Sequence, residues 1–210
     1  MTRVLQEHAD NWDTFLRLRD EADMELGNLR GPLEDVSQKP RRSTNDAQQD
    51  FEALSAQREK TSILTDKIRQ LQQICELLDP LESPRADIRF IDVDTEQLEK
   101  QYDDVLSDLS SEIEEENLLC DSMDHFNNEI NSISDQLSKE PTRENLENIE
   151  KFQVPALRAQ LAMLKEKQDE AKNSRKHVDT DSSRLAALED RMKNLDSMLE
   201  DAKKAAERDE

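Results

Sequence analysis

Two glycines in 210 residues leave almost none of the usual loop material, so a fold built on many tight turns is excluded. Aromatic residues make up 3% of the chain, too few for one wide globular core. Two cysteines, Cys75 and Cys120, do not make a disulfide framework, and they are read as reduced thiols of a cytoplasmic protein. No apolar run approaches the ~20 residues of a membrane-spanning helix. The opening residues, MTRVLQEHAD, lack the apolar core of a signal peptide. Basic residues are also short: 29 Lys and Arg against 50 Asp and Glu give a formal charge of −21. Such a chain repels nucleic acid, whose binding needs cations to neutralise phosphates. It also repels the anionic cytoplasmic leaflet of a membrane.

Polarity of this degree can mean disorder. Leu, Ile, Val and Met nevertheless recur at regular intervals, and such compositions with a helical period point to long helices. The few helix breakers are therefore informative. Gly31-Pro32 is expected to end a first helix, with Gly31 at the position after the cap. Residues 38–46, QKPRRSTND, read as a polar linker, with Ser43, Thr44 and Asn45 as candidate N-caps of a second helix. Pro80 and Pro84 stop that helix, and a third starts near Asp94 or Thr95. Nothing breaks the third before Pro141. A fourth runs from about Thr142 into NSRKHVDTD at 173–181, and a fifth from about Asp181 to the end. Pro155 lies inside the fourth and predicts a bend or short irregular turn near 152–155.

Coiled-coil seams advance by alternating steps of three and four. The first segment offers Trp12, Phe15, Arg19, Ala22, Leu26 and Leu29. In the second, Phe51, Leu54, Arg58, Thr61, Leu64, Ile68, Leu71, Cys75 and Leu78 predict a local stammer near Thr61. The fourth offers Leu157, Leu161, Leu164, Gln168 and Ala171, and the fifth Leu185, Leu188, Met192, Leu195, Leu199 and Ala202. The third runs Leu98, Tyr102, Val105, Leu109, Glu112, Glu116, Leu119, Met123, Phe126, Ile130, Ile133, Leu137 without a slip. Its two glutamates sit in an acidic knot, Glu112 to Glu116. The unbroken step pattern predicts a helix straight through the knot, with both seam glutamates near solvent, since buried alone they would cost several kcal/mol.

Five segments sharing a long middle one predict an all-α chain of two tandem antiparallel three-helix bundles, residues 1–116 and 117–210, joined by a continuous linker helix. With about 45 Å for a 30-residue helix, the expected shape is an elongated rod of roughly 100 Å. Trp12 and Leu119 share a seam phase one repeat length apart, as do Pro32 and Pro141 in chain position.

A Trp early in the first helix, followed by Phe15 and an apolar seam, resembles the first helix of a spectrin repeat. The helical linker and the repeat length are also spectrin-family traits. Leu119 or Met123 takes the Trp place in the second repeat. The breaks at 32–44 and 80–93 are long and that at 141–142 minimal. In these respects the chain is similar to divergent repeats of giant nesprin-like nuclear-anchoring linkers, then to spectraplakins, then to dystrophin and α-actinin relatives. The closing residues, KKAAERDE, carry no capping Gly, and a repeat unit needs neighbours or polar caps, so a longer parent protein is expected.

Sites of chemistry are weighed and set aside. His8, His125 and His177 are dispersed, and none pairs at the i, i+4 spacing of a helical metal site. Cys75 falls in the seam, where a small buried thiol is ordinary. DVDTEQLEKQYD at 92–103 places Asp92, Asp94 and Glu96 like the first ligands of a calcium loop. Gln97 and Asp103 stand where that loop needs Gly and Glu. This stretch and DTDSS at 179–183 are read as helix N-termini. The acidic knot reads as a solvated inter-repeat helix, and KEKQDEAKNSRKH at 165–177 as a mixed-charge helix end. No catalytic residue, cofactor-binding residue or metal ligand is assigned, no cofactor is expected, and the chain is not expected to be an enzyme.

The resemblance implies a structural spacer within a large cytoskeletal linker, tethering nuclei or other organelles to actin through a force-bearing helical rod. Implied partners are cytoskeletal proteins, actin among them, engaged by other parts of the parent chain. Neither nucleic acid nor direct membrane insertion is expected. The implied location is the cytoplasm and cytoskeleton, and through the parent protein the outer nuclear envelope. The segment is expected to be monomeric. The alternatives are a homodimeric coiled coil, pairing over 95–140, and a helical adaptor module. The breakers at Pro32, Pro80, Pro84 and Pro141 favour fold-back lengths over a long coil.

Overall fold

A computed structural model describes residues 2–38, 44–78, 84–139, 141–174 and 181–208. These form α1 (Thr2–Gln38), α2 (Thr44–Leu77), α3 (Arg85–Leu137), α4 (Arg143–Asn148), a π-helical turn (Ile149–Gln153), α5 (Val154–Ser174) and α6 (Asp181–Arg208). The described residues are all-α, with no strand among them. By contacts the chain divides into one unit of residues 1–39 and 47–111 and a second of 112–210 with 40–46.

The acidic knot does not interrupt α3, which runs 53 residues from Arg85 to Leu137. Its seam is longer than the breakers imply. Ile88, Ile91, Thr95 and Leu98 are all buried, so the alternating steps extend back to the first turn. The third helix therefore starts at Arg85, directly after Pro84, and not near Asp94. Thr95, buried in that seam, has its hydroxyl satisfied by donating to the Ile91 carbonyl at 2.7 Å. The expectation of solvent-facing seam glutamates fails at Glu116, which is only 8% exposed. The uninterrupted seam keeps that position facing inward, and Glu116 is engaged by a neighbouring group. Glu112 is half-buried.

In the first unit, α1 passes through Gly31-Pro32 and ends at Gln38. This corrects the expected stop. Pro32 removes one helical hydrogen bond and costs ~3 kcal/mol or more. Leu33 and Val36 are buried beyond it, and each contributes about 1.5–3 kcal/mol if the helix continues. The seam therefore offsets the proline. Near the start, Leu18 is buried in place of Arg19, which is half-buried. Trp12 is also half-buried and meets Phe15 edge-on, with centroids 5.8 Å apart.

The second helix shows no stammer. Ala47, Asp50, Leu54, Thr61, Leu64, Ile68, Leu71, Cys75 and Leu78 are buried, with half-buried Gln57 filling the remaining step. The steps alternate strictly once the phase is set by Ala47. Phe51, the expected starting point, is only half-buried. Ser43 and Pro80 lie outside the described residues; α2 opens at Thr44.

In the second unit one core joins Leu119, Met123, Phe126, Ile130, Ile133 and Leu137 of α3 to Leu146, Ile149, Val154, Leu157 and Leu164. Leu185, Leu188, Met192, Leu195 and Leu199 of α6 complete it. α4 begins after Pro141 with Thr142 as its N-cap, the hydroxyl accepting from the Asn145 amide at 3.3 Å. The irregularity expected near Pro155 takes the form of the π turn, in which the Val154 N–H reaches back to the Ile149 carbonyl. Residues 175–180, and with them most of NSRKHVDTD, lie outside the described residues, as do the side chains of 171–174.

Candidate functional site

The densest polar constellation in the described residues is a clasp between α2 and α3 centred on Arg58. Its Nε donates to Asp103 Oδ1 at 2.8 Å and one terminal nitrogen to Asp103 Oδ2 at 3.3 Å. The other terminal nitrogen donates to Thr61 Oγ1 at 2.7 Å and to Glu99 Oε1 at 3.2 Å. Thr61 is fully buried. Its hydroxyl has one proton to give, with the Arg58 carbonyl at 2.8 Å and Glu99 Oε1 at 2.9 Å as the acceptors. Glu99 and Asp103 are four apart, so one turn of α3 presents both carboxylates to the same guanidinium. The Arg58 hydrogen bond holds the Asp103 carboxyl below its ordinary range, and that bond to Asp103 likewise raises the Arg58 value. The clasp is a pairing device between helices. All three guanidinium nitrogens are engaged in it.

Other ties join the same unit. Lys67 of α2 donates to Glu21 of α1 at 3.1 Å, and the Lys67 hydrogen bond, followed by that of Arg17, lowers the Glu21 carboxyl. Arg30 of α1 donates to Asp94 of α3 at 2.7 Å. Asp94 thus sits mid-helix in an ion pair. The helix N-terminus expected at 92–96 is not there, since α3 already starts at Arg85. Tyr102, fully buried, donates to the Leu29 carbonyl at 2.6 Å, and burial pushes its hydroxyl pKa up.

In the second unit Arg184 pairs with Asp124, and Arg191 with Asn127 and Asn131, joining α6 to α3. Arg158 meets Asp196 at 2.9 Å and Lys165 meets Glu189 at 2.9 Å, joining α5 to α6. The 165–177 stretch is thus partly committed within the fold at Lys165; Arg175, Lys176 and His177 lie outside the described residues. Two shallow recesses flank Gln160 between α3 and α5. One, about 380 Å³, is bordered by Leu118, His125 and Met163, and the other, about 330 Å³, by Glu129, Ile133 and Phe152. Leu118, Met163 and Phe152 are exposed. Among the described residues no three His, Cys, Asp or Glu side chains converge as a metal site, and no helix is long and apolar enough to cross a membrane. Cys75 is buried and Cys120 half-buried, and neither is in a disulfide.

Against that architecture stand the comparisons with known proteins. Residues 1–114 match the family model described as the spectrin-like repeat of nuclear anchorage protein 1. The chain belongs to this spectrin-like repeat family. Over 204 residues, 97% of the chain, it is 43% identical to nuclear anchorage protein 1 of Caenorhabditis elegans. It spans about 2% of that relative's length. No solved structure matches the chain. Within this repeat family, sequence reasoning missed the Arg58 clasp because Arg58 and Thr61 read as seam defects. The signal was the pair Glu99 and Asp103 on one face of the opposing helix.

Proposed function

We propose that this chain is a structural, non-enzymatic spacer of two spectrin-like repeats, residues 1–116 and 117–210, within a longer nuclear-anchoring linker. On this reading the parent protein tethers nuclei or other organelles to actin. It would act in the cytoplasm, at the cytoskeleton and the outer nuclear envelope, with actin and other partners bound elsewhere along the chain. The observation that carries it is the 43% identity to nuclear anchorage protein 1 over nearly the whole chain. A helix that passes between the two units without a break suits a segment that transmits load. Buried seams on every helix, and ionic pairs spent between helices of the same unit, suit a spacer held together from within.

The test pairs light scattering with actin co-sedimentation on the 210-residue chain. A 24.3 kDa monomer that stays in the supernatant supports the spacer. A doubled mass moves the function to dimerisation. The exposed Leu118, Phe152 and Met163 favour a second reading, a helical adaptor, which predicts a stable complex with a folded partner.

A further inference from the structure

The seam of the second unit's middle strand of helix contains a count that the other seams lack. Leu146 and Ile149 are three apart, and Val154, Leu157, Leu161 and Leu164 follow in steps of three, four and three; all face the core. The step from Ile149 to Val154 is five. One residue more than a heptad allows has been admitted, and the π turn Ile149–Gln153 is where it is absorbed. A π turn widens the helix by one residue and bonds i to i+5, as the Val154 N–H to the Ile149 carbonyl does here. Pro155 follows at once, and with no N–H it leaves a carbonyl of the turn without its donor.

The segment before the turn is weakly held. The six residues of α4 run on through the π turn into α5 without leaving helical backbone, so what holds them to the unit is their own packing, and that is slight. Across residues 143–153 the buried residues are Leu146 and Ile149. Its ionic tie to α6, Glu150 to Lys203 at 2.6 Å, is solvent-exposed on the glutamate side and contributes little. Phe152, carried on the turn, is 68% exposed and adds no core area.

We propose that the one-residue insertion at the π turn makes residues 143–153 a separately opening segment, which detaches from the second unit while α3, α5 and α6 stay folded. On the load-bearing reading above, on which only this sentence rests, its opening would release about 20 Å of chain before the core yields.

The test is amide hydrogen exchange on the 210-residue chain, corrected for intrinsic rates. Three proteins are compared: wild type, Pro155→Ala, and Pro155→Ala with Phe152 deleted. The deletion restores strict steps of three and four from Leu146 to Leu164. The expected result is exchange at 144–153 at least tenfold faster than at 157–164 in wild type and in Pro155→Ala. In the deletion protein the difference shrinks below about threefold. Equal protection in wild type overturns the proposal. So does a difference that vanishes in Pro155→Ala alone, or one that survives the deletion. A deletion protein without its helical circular dichroism also overturns it, because an inserted residue should be dispensable. No load is applied, so the proposal can fail without touching the spacer reading.

Discussion

The Tyr102 hydroxyl donates to the Leu29 carbonyl at 2.6 Å, joining two helices across 73 residues of chain. The contact lands on the turn of α1 that also holds Gly31 and Pro32, where the sequence would have the helix stop. Tyr102→Phe keeps the ring and removes the bond, at an expected cost of about 0.5–1.5 kcal/mol in urea unfolding at pH 7. Burial raises the folded-state pKa of this hydroxyl. Its contribution is therefore complete below the unfolded value of about 10 and is lost as pH rises through the folded value. Wild type should lose more stability than Tyr102→Phe between pH 9 and about 11. Parallel losses would show that Tyr102 ionises as freely in the fold as outside it.

Gly27→Ala should stabilise the chain. A Cβ built at Gly27 meets nothing within 4 Å, and the residue lies inside α1. Glycine in a helix interior costs roughly 0.5–1 kcal/mol relative to alanine, and the expected gain is of that size. Gly31→Ala should gain less, because a Cβ directly before Pro32 disfavours helical backbone. A denaturation midpoint that fails to rise in Gly27→Ala would mean that α1 is not helical at 27.

The Arg58 clasp predicts a measurable coupling. A double-mutant cycle of Arg58→Met and Asp103→Asn should give about 0.5–1 kcal/mol at low salt and less at 1 M salt, since Asp103 is 60% exposed. The Asp103 carboxyl is lowered by Arg58, so its contribution is present above the unfolded value of about 4 and disappears as pH falls through the folded one. The loss of stability between pH 5 and about 2 should be shallower in Asp103→Asn than in wild type. A coupling of zero at low salt would reduce the clasp to a surface contact.

Two phenylalanines of the second unit should behave oppositely. Phe126 is 1% exposed within the core and Phe152 is 68% exposed on the π turn. Phe126→Ala is expected to cost about 3–5 kcal/mol. Phe152→Ala should fall within about 0.5 kcal/mol of wild type. A large loss from Phe152→Ala would place that ring in packing that the exposed surface does not show.

The helices were most legible where apolar spacing was left to speak alone. α3 and α6 follow their seams residue by residue, from Leu98 to Leu137 and from Leu185 to Ala202. A local signal misleads wherever it conflicts with the spacing. Gly31-Pro32 read as a stop, although Leu33 and Val36 continue the steps from Leu29. Asp92 and Asp94 read as a helix start, although Ile88 and Ile91 already hold the phase. Phe51, the larger residue, displaced Ala47 and Asp50 as the origin of the α2 seam and produced a stammer that strict counting from Ala47 removes. Glu116 shows the converse: a polar residue stays inward because the seam that runs on both sides of it, from Ile88 to Leu137, outweighs it. The π turn was legible in place but not in kind. A proline announces trouble, while an inserted residue is found only by counting from Ile149 to Val154.

The single Trp and the single Tyr of the chain, Trp12 and Tyr102, both belong to the first unit. Indole and phenol emission therefore report one half of this protein: the indole, packed at a steep angle to Phe15, glows for residues 1–39 and 47–111 alone. The second unit offers only the weakly absorbing rings of Phe126 and Phe152 and its amides. Fluorescence and far-ultraviolet circular dichroism recorded on one sample thus follow different populations of residues, and the two halves can be watched melting with no label attached.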